Sequence, residues 1–315
     1  MNFDISSATI LKVKHGSQAY GLATPESDLD VKGVCIEPLE YHFGFAKNFE
    51  QFIQESSKGY PEDLVIYSLK KFAKLAADSN PNIIEVLFGA DEDILFCNEF
   101  GAELRDFRDN FLSMKARYTF AGFAHSQLKR IKTHRNWLLN PPKEPPSRKD
   151  FGLSEVVSVT KAELGAFEAL LDRDSVGELS KEALTLYTRE KAWKNMQTQW
   201  SQYQNWKATR NPKRAEMEAR YGMDCKHASH LYRLMKMCSE IMELGKVIVR
   251  RPDRELILGI KRGEWSYERL IEETEALEAK CDELYKTSTV LPRAPDINKI
   301  DAFVVDLTSR YLSRC

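Results

Sequence analysis

Four residues in one short stretch have the types and spacing to do chemistry: Gly16 and Ser17, and, after a ten-residue gap, Asp28 and Asp30. The Gly16-Ser17 pair follows the apolar alternation Ile10-Leu11-Lys12-Val13-Lys14, so it reads as the turn that ends a strand. A glycine in such a turn lets backbone N–H groups approach an anion, and the serine adds a hydroxyl; together they suit a phosphate. Asp28 and Asp30 are separated by Leu29. A strand over 29–36 has a period of two, which places both carboxylates on one face and Leu29 and Val31 on the other. Adjacent carboxylates repel unless a cation sits between them, so the pair points to a divalent metal. A phosphate cradle beside metal-holding carboxylates implies nucleotide chemistry.

The elements that must position these residues are strands over 10–13 and 29–36, bounded by Gly16 and Pro38. Residues 38–60, with Phe43, Phe45, Phe49 and Phe52, are aromatic and irregular and receive no assignment. A β-branched run over 62–67 then passes into a helix with Leu69, Phe72, Ala73 and Ala76 at helical spacing, which Asn80-Pro81 breaks. Asp63, at the start of that run, reads in two ways. As the third carboxylate of a metal cage it would help two ions lower the pKa of an acceptor hydroxyl and neutralise a leaving pyrophosphate. As a solvated strand-start residue it would do neither, and Glu62 is the other candidate.

Composition sets the bounds. A chain of 315 residues is long enough for two domains, and its net charge of -1 with 30% charged residues confines any basic surface to local patches. Six scattered cysteines (Cys35, Cys97, Cys225, Cys238, Cys281, Cys315), without a CxxC pair, read as reduced thiols of a cytoplasmic protein rather than as a disulfide framework or zinc site. The N-terminus has no signal-peptide pattern and no run of apolar residues is long enough to span a membrane. Residues 98–139 read as helical. The part with Lys115, Arg117, Lys129, Arg130, Lys132 and Arg135 has almost no acidic balance, so it is either a solvated face or a contact for nucleotide or nucleic-acid phosphate. Residues 140–149 hold Pro141, Pro142, Pro145 and Pro146 and form a stiff excursion. Helical periodicity resumes over 154–172 and 180–208, where Trp193, Trp200 and Trp206 read as a packing stripe, with base stacking as the rival reading.

A second block follows. On a helix starting near Asp224, Lys226, His230 and Arg233 fall at i, i+4 and i+7 with His227 beside them, an anion-binding face that can hold a triphosphate. Two rival readings are histidines satisfied inside a helical core and a metal pair with Cys225 or Asp224. Arg250, Arg251 and Arg254 are a further basic cluster of the kind common on exposed surfaces. Ser266 reads as the N-cap of a helix over 267–285, and Pro292 and Pro295 mark a loop before a terminal helix near 297–312.

The spacing of Gly16, Ser17, Asp28 and Asp30 resembles the signature of the DNA polymerase beta nucleotidyltransferase superfamily. The fuller string GSxAYGxxxxxSDxDxxG (Gly16, Ser17, Ala19, Tyr20, Gly21, Ser27, Asp28, Asp30, Gly33) resembles its RNA-repair-associated branch. Two more strings look like the same branch: Asp63, Leu69, Lys71, Phe72, Asn80, Pro81, Glu85 and Leu87, and later Tyr221, Gly222, Asp224, Lys226, His227, Ala228, His230, Arg233 and Leu234. In the first of these, Glu85 reads as the anchor of a turn or a helix cap. The resemblance implies an α+β fold: a small mixed-sheet core over 1–97 and a helical region over 98–315 with the Pro-rich excursion at 140–152. It implies transfer of a nucleoside monophosphate from a nucleoside triphosphate to an acceptor hydroxyl, with an RNA end as acceptor. Asp28, Asp30 and Asp63 would be catalytic and hold two Mg²⁺ ions, with Mn²⁺ as a substitute. Gly16, Ser17, Tyr20, Lys226, His227, His230 and Arg233 would bind the nucleotide. The alternatives are transfer to a protein or small molecule, as in antitoxin-like members, and a non-catalytic RNA- or partner-binding module.

Overall fold

The computed structural model describes residues 3–25, 27–60, 62–155, 159–171 and 181–314. Cys315 and part of the expected helices over 154–172 and 180–208 lie outside these residues. A short helix α1 (Ile5–Ala8) leads into β1 (Thr9–His15), the one-turn helix α2 (Gly16–Ala19) and β2 (Asp30–Cys35). Then come α3 (Leu39–Phe43), β3 (Gln51–Gln54), β4 (Asp63–Ser68), α4 (Leu69–Ala77), α5 (Pro81–Leu87), β5 (Ile94–Cys97), α6 (Glu99–Asp106) and α7 (Ala116–Leu139). The remainder is helical: α8 (Lys161–Leu171), α9 (Lys181–Thr209), α10 (Pro212–Tyr221), α11 (Cys225–Leu244), α12 (Arg254–Lys261), α13 (Tyr267–Thr287) and α14 (Ile297–Leu312). A mixed sheet followed by helices is the expected α+β architecture.

The sheet runs β3-β4-β2-β1-β5. Strand β2 is antiparallel to β1 and parallel to β4, and both edges are antiparallel to their neighbours. The central strands are buried, with Ile10, Leu11, Val13, Val31, Val34 and Ile66 at or near zero exposure. The two edge strands are the elements that sequence pattern missed. Strand β3 arises inside the stretch left unassigned, from a half-buried Gln-Phe-Ile-Gln; β5, with three of its four residues exposed, falls in a region without alternation. Asn80-Pro81 does more than break a helix. The Asn80 side chain caps α5 by accepting from the Asn82 N–H at 3.1 Å, and Pro81 occupies its first turn. The helical stretch expected over 98–139 is interrupted between α6 and α7, where Phe107 stacks on Phe303 at 3.9 Å.

The chain divides into compact units elsewhere than at residue 97. One unit comprises Met1–Ile131 and Met223–Cys315, the other Lys132–Gly222. The reason is that the C-terminal helices pack back onto the sheet domain: α14 packs against α4, and Arg310 pairs with Glu103 on α6. Ser266 caps α13 as expected, accepting from the Arg269 N–H at 3.1 Å. In the second unit the aromatic stripe is packing. Trp137 lies against Tyr203 (5.7 Å) and Trp206 (5.3 Å), and the Pro-rich segment folds onto α9 through an Arg148–Glu190 ion pair. No helix among the described residues is long and apolar enough to cross a membrane.

Candidate active site

The carboxylates are set by strand register. His15, the last residue of β1, is paired with Asp30, the first of β2, and Asp30 is in parallel register with Asp63, the first of β4. Register partners on neighbouring strands share a face, so these three side chains stand in a row at one end of the sheet. Strand β2 begins at Asp30, one residue later than the expected 29, and Asp28 precedes it as an exposed residue. The chain leaves β1 through Gly16 at φ +64°, the left-handed region that favours glycine, and a Cβ at that position would collide with Asp30 Oδ2. Gly33 is required by close approach alone, since a Cβ there would strike the Leu11 carbonyl of the neighbouring strand.

The electrostatics of the row are uneven. Burial pushes the Asp30 carboxyl up; Asp63 and Asp28 push it the same way, while His15 and Lys32 oppose. Asp63 is held below the usual carboxylate range, because its Oδ1 accepts the Ser56 N–H at 2.6 Å. Lys32, two residues along from Asp30, is pulled down to about 8 by burial, with Glu85 and Asp30 opposing that shift.

A cavity of about 240 Å³ opens over this end of the sheet. One wall is Gly16, Ser17, Tyr20, Ser27, Asp28 and Asp30; the other is Lys226, Ser229, His230 and Arg233 of α11, with Lys261 at the end of α12. The structure therefore brings the two sequence blocks, some two hundred residues apart, to one site. Of the expected residues, Asp63 and His227 do not line the cavity. His227 turns to its own helix cap, with Nε2 3.6 Å from Asp224 Oδ2, while Asp224 accepts the His227 N–H at 3.0 Å. His230 is pulled down to about 3, first by burial and then by the Arg233 and Lys226 charges, so it is neutral at physiological pH.

Sequence reasoning missed what stands behind this wall. Glu85 is no cap: it is buried at 2% exposure and accepts from Tyr20 Oη at 2.5 Å, from Arg233 Nη1 at 2.5 Å and from His15 Nε2 at 3.2 Å. The Arg233 guanidinium also lies over the Tyr20 ring, 3.7 Å from its centroid. Burial alone would raise the Glu85 carboxyl, but Arg233, His15 and Tyr20 outweigh it and hold it far below the usual range. Burial lowers His15 in spite of the hydrogen bond to Glu85. The available signal was a lone acid inside the apolar run Ile83-Ile84-Glu85-Val86-Leu87, a position that demands a buried partner. The basic cluster after α11 is structural too. Arg251 is buried and paired with Glu240 and Asp253, its N–H reaches the Tyr20 carbonyl at 3.1 Å, and Arg254 donates to the Gly21 carbonyl. These contacts fasten the turn that follows Ser17.

The donor chemistry of Asp28, Asp30 and Asp63 is all carboxylate oxygen, with like charges crowding a partly buried Asp30; this set fits a hard divalent cation of the Mg²⁺ class. A relative from Enterobacteria phage T4, described as an uncharacterized 38.9 kDa protein in the nrdC-mobD intergenic region, is 37% identical over 84 residues. That match covers 25% of this chain and 25% of the relative. No solved structure matches. Residues 4–140, the segment that carries the Gly16-Ser17 turn and all three aspartates, match the family described as "RlaP: RNA repair pathway DNA polymerase beta family".

Proposed function

We propose that the chain transfers a nucleoside monophosphate from a nucleoside triphosphate to an acceptor hydroxyl, and that the acceptor is an RNA end. The observation that carries this reading is the convergence in one cavity of the Gly16-Ser17 turn, Asp28 and Asp30, and the cationic face of α11. Asp28, Asp30 and Asp63 would hold the metal, Mg²⁺ or Mn²⁺; once bound, it supplies charge neutralisation at the leaving pyrophosphate and a lowered pKa at the acceptor hydroxyl. The acceptor oxygen forms a bond to the α-phosphorus as the α–β bridging bond breaks and pyrophosphate leaves. Asp63, in register with Asp30 at the same end of the sheet, would receive the acceptor proton, although its hydrogen bond from Ser56 lowers its proton affinity. Gly16 and Ser17 offer backbone N–H groups and a hydroxyl to the phosphates. Lys226 and a neutral, donating His230 act from the opposite wall. Tyr20 and Arg233 line the cavity but serve it as a rigid wall, because Glu85 engages both. His227 is left out of the set.

The test is single-turnover label transfer from each of four α-labelled nucleoside triphosphates, with Mg²⁺, onto total RNA and total protein. The Asp28→Ala/Asp30→Ala double variant runs in parallel. Label on RNA that vanishes in the variant supports the reading and names the nucleotide. Label on protein moves the acceptor to a polypeptide. RNA binding without any transfer replaces the enzyme with a binding module.

A further inference from the structure

Among the cations lining the cavity, two differ sharply in what already holds them. Arg233 is 5% exposed and neutralised by Glu85, its guanidinium wedged between that carboxylate and the Tyr20 ring. Lys261 is the last residue of α12, half-buried, and has no hydrogen bond or ion pair to any described residue. An ammonium that lines a polar cavity with no carboxylate of its own is an available point charge, whereas a buried ion pair presents almost none.

We infer that Lys261 is a nucleotide-binding residue, and that the anion it takes is the triphosphate. Asp28 and Asp30, the carboxylates that line the same cavity, are the metal-holding set of the proposed function, so their charge is shared with the metal. Lys261 is therefore left for phosphate charge that the metal does not neutralise. It complements Lys226 and His230, which sit within the first two turns of α11, where the start of a 20-residue helix also favours anions. Lys261 lies outside both the matched segment 4–140 and the α11 block, so no motif identified it.

This inference rests on the nucleotidyltransferase reading, and the experiment separates the two. Binding of a non-hydrolysable nucleoside triphosphate and of the matching monophosphate is measured by calorimetry on the full chain with Mg²⁺, for wild type, Lys261→Gln and Lys261→Arg. Loss of one charge-assisted contact is expected to weaken the triphosphate about 10- to 100-fold, leave the monophosphate within about threefold, and be largely restored by arginine. An unchanged urea midpoint in Lys261→Gln distinguishes a binding role from capping of α12. Equal triphosphate affinity in wild type and Lys261→Gln overturns the inference while leaving the nucleotidyltransferase reading intact. The inference is equally overturned if both nucleotides weaken to the same extent, or if only RNA affinity falls. A wild-type protein that binds no triphosphate overturns the reading itself, and this inference with it.

Discussion

Glu85→Gln tests the wall of the cavity without touching the carboxylates that face it. Glu85 and Arg233 have side chains only 1% and 6% exposed, so the substitution leaves a guanidinium in the interior with no counter-charge. Removing one partner of such a pair costs about 3–5 kcal/mol. Glutamine keeps one acceptor oxygen for Tyr20 and His15, which share Oε2, but its amide then turns donors toward Arg233, a donor itself. A unit of this size loses about 2–4 °C of Tm per kcal/mol, so the expected drop is about 10 °C, read by circular dichroism at pH 7. Adding Arg233→Met removes the orphaned charge, and the double variant should regain at least half of the loss. The acid limb carries the sign. The folded-state carboxyl is depressed, so its contribution is present above the ordinary carboxylate pKa and is lost as pH falls through and below it. The wild-type advantage over Glu85→Gln should therefore shrink below about pH 4. A Glu85→Gln protein within about 1 kcal/mol of wild type, or a double variant whose loss equals the sum of the singles, would refute the ion-pair account.

Gly16→Ala combines a left-handed backbone with a Cβ that must displace Asp30 Oδ2, so we expect about 1–3 kcal/mol of stability lost and label transfer reduced at least about 100-fold; half-wild-type transfer would show that Asp30 can move without consequence. His230, with a folded pKa of about 3 against an ordinary 6.5, refuses a proton that the unfolded chain accepts. Stability should therefore fall by about 1.4 kcal/mol per pH unit as pH drops from 6.5 toward 3. Urea titrations of His230→Gln across that window should show a shallower fall by up to that slope, and parallel curves would contradict it. Trp137→Ala, which empties the cluster with Tyr203 and Trp206, should cost the second unit about 3–5 kcal/mol. Its RNA affinity, measured under native conditions, should be unchanged, whereas a selective loss of RNA binding in a stable protein would revive base stacking.

What was legible from residue order was whatever a single element determines by its own period. The turn after β1, the two aspartates and the i, i+4, i+7 face of Lys226, His230 and Arg233 could each be read locally, and each lies in the cavity wall. What was hidden depends on which element packs against which. Glu85 and Arg233 are 148 positions apart, and nothing in the period of α5 or α11 says that they meet. The three arginines after α11 resemble any solvated cluster until the turn at Tyr20-Gly21 is seen to accept from two of them. Arg233 shows the difference between position and availability. Its helical place puts it in the cavity wall, yet a cation's availability to a ligand depends on what already neutralises it, and that partner came from another element. The same consideration reverses the ranking of the cations: Arg233, the motif residue, is spent on the fold, while Lys261, which no motif marks, keeps its charge for the cavity. If nucleotide affinity follows exposed and unpartnered charge, Lys261→Gln should weaken triphosphate binding more than an Arg233→Met/Glu85→Gln pair does. The two proteins can be compared in one calorimetric series.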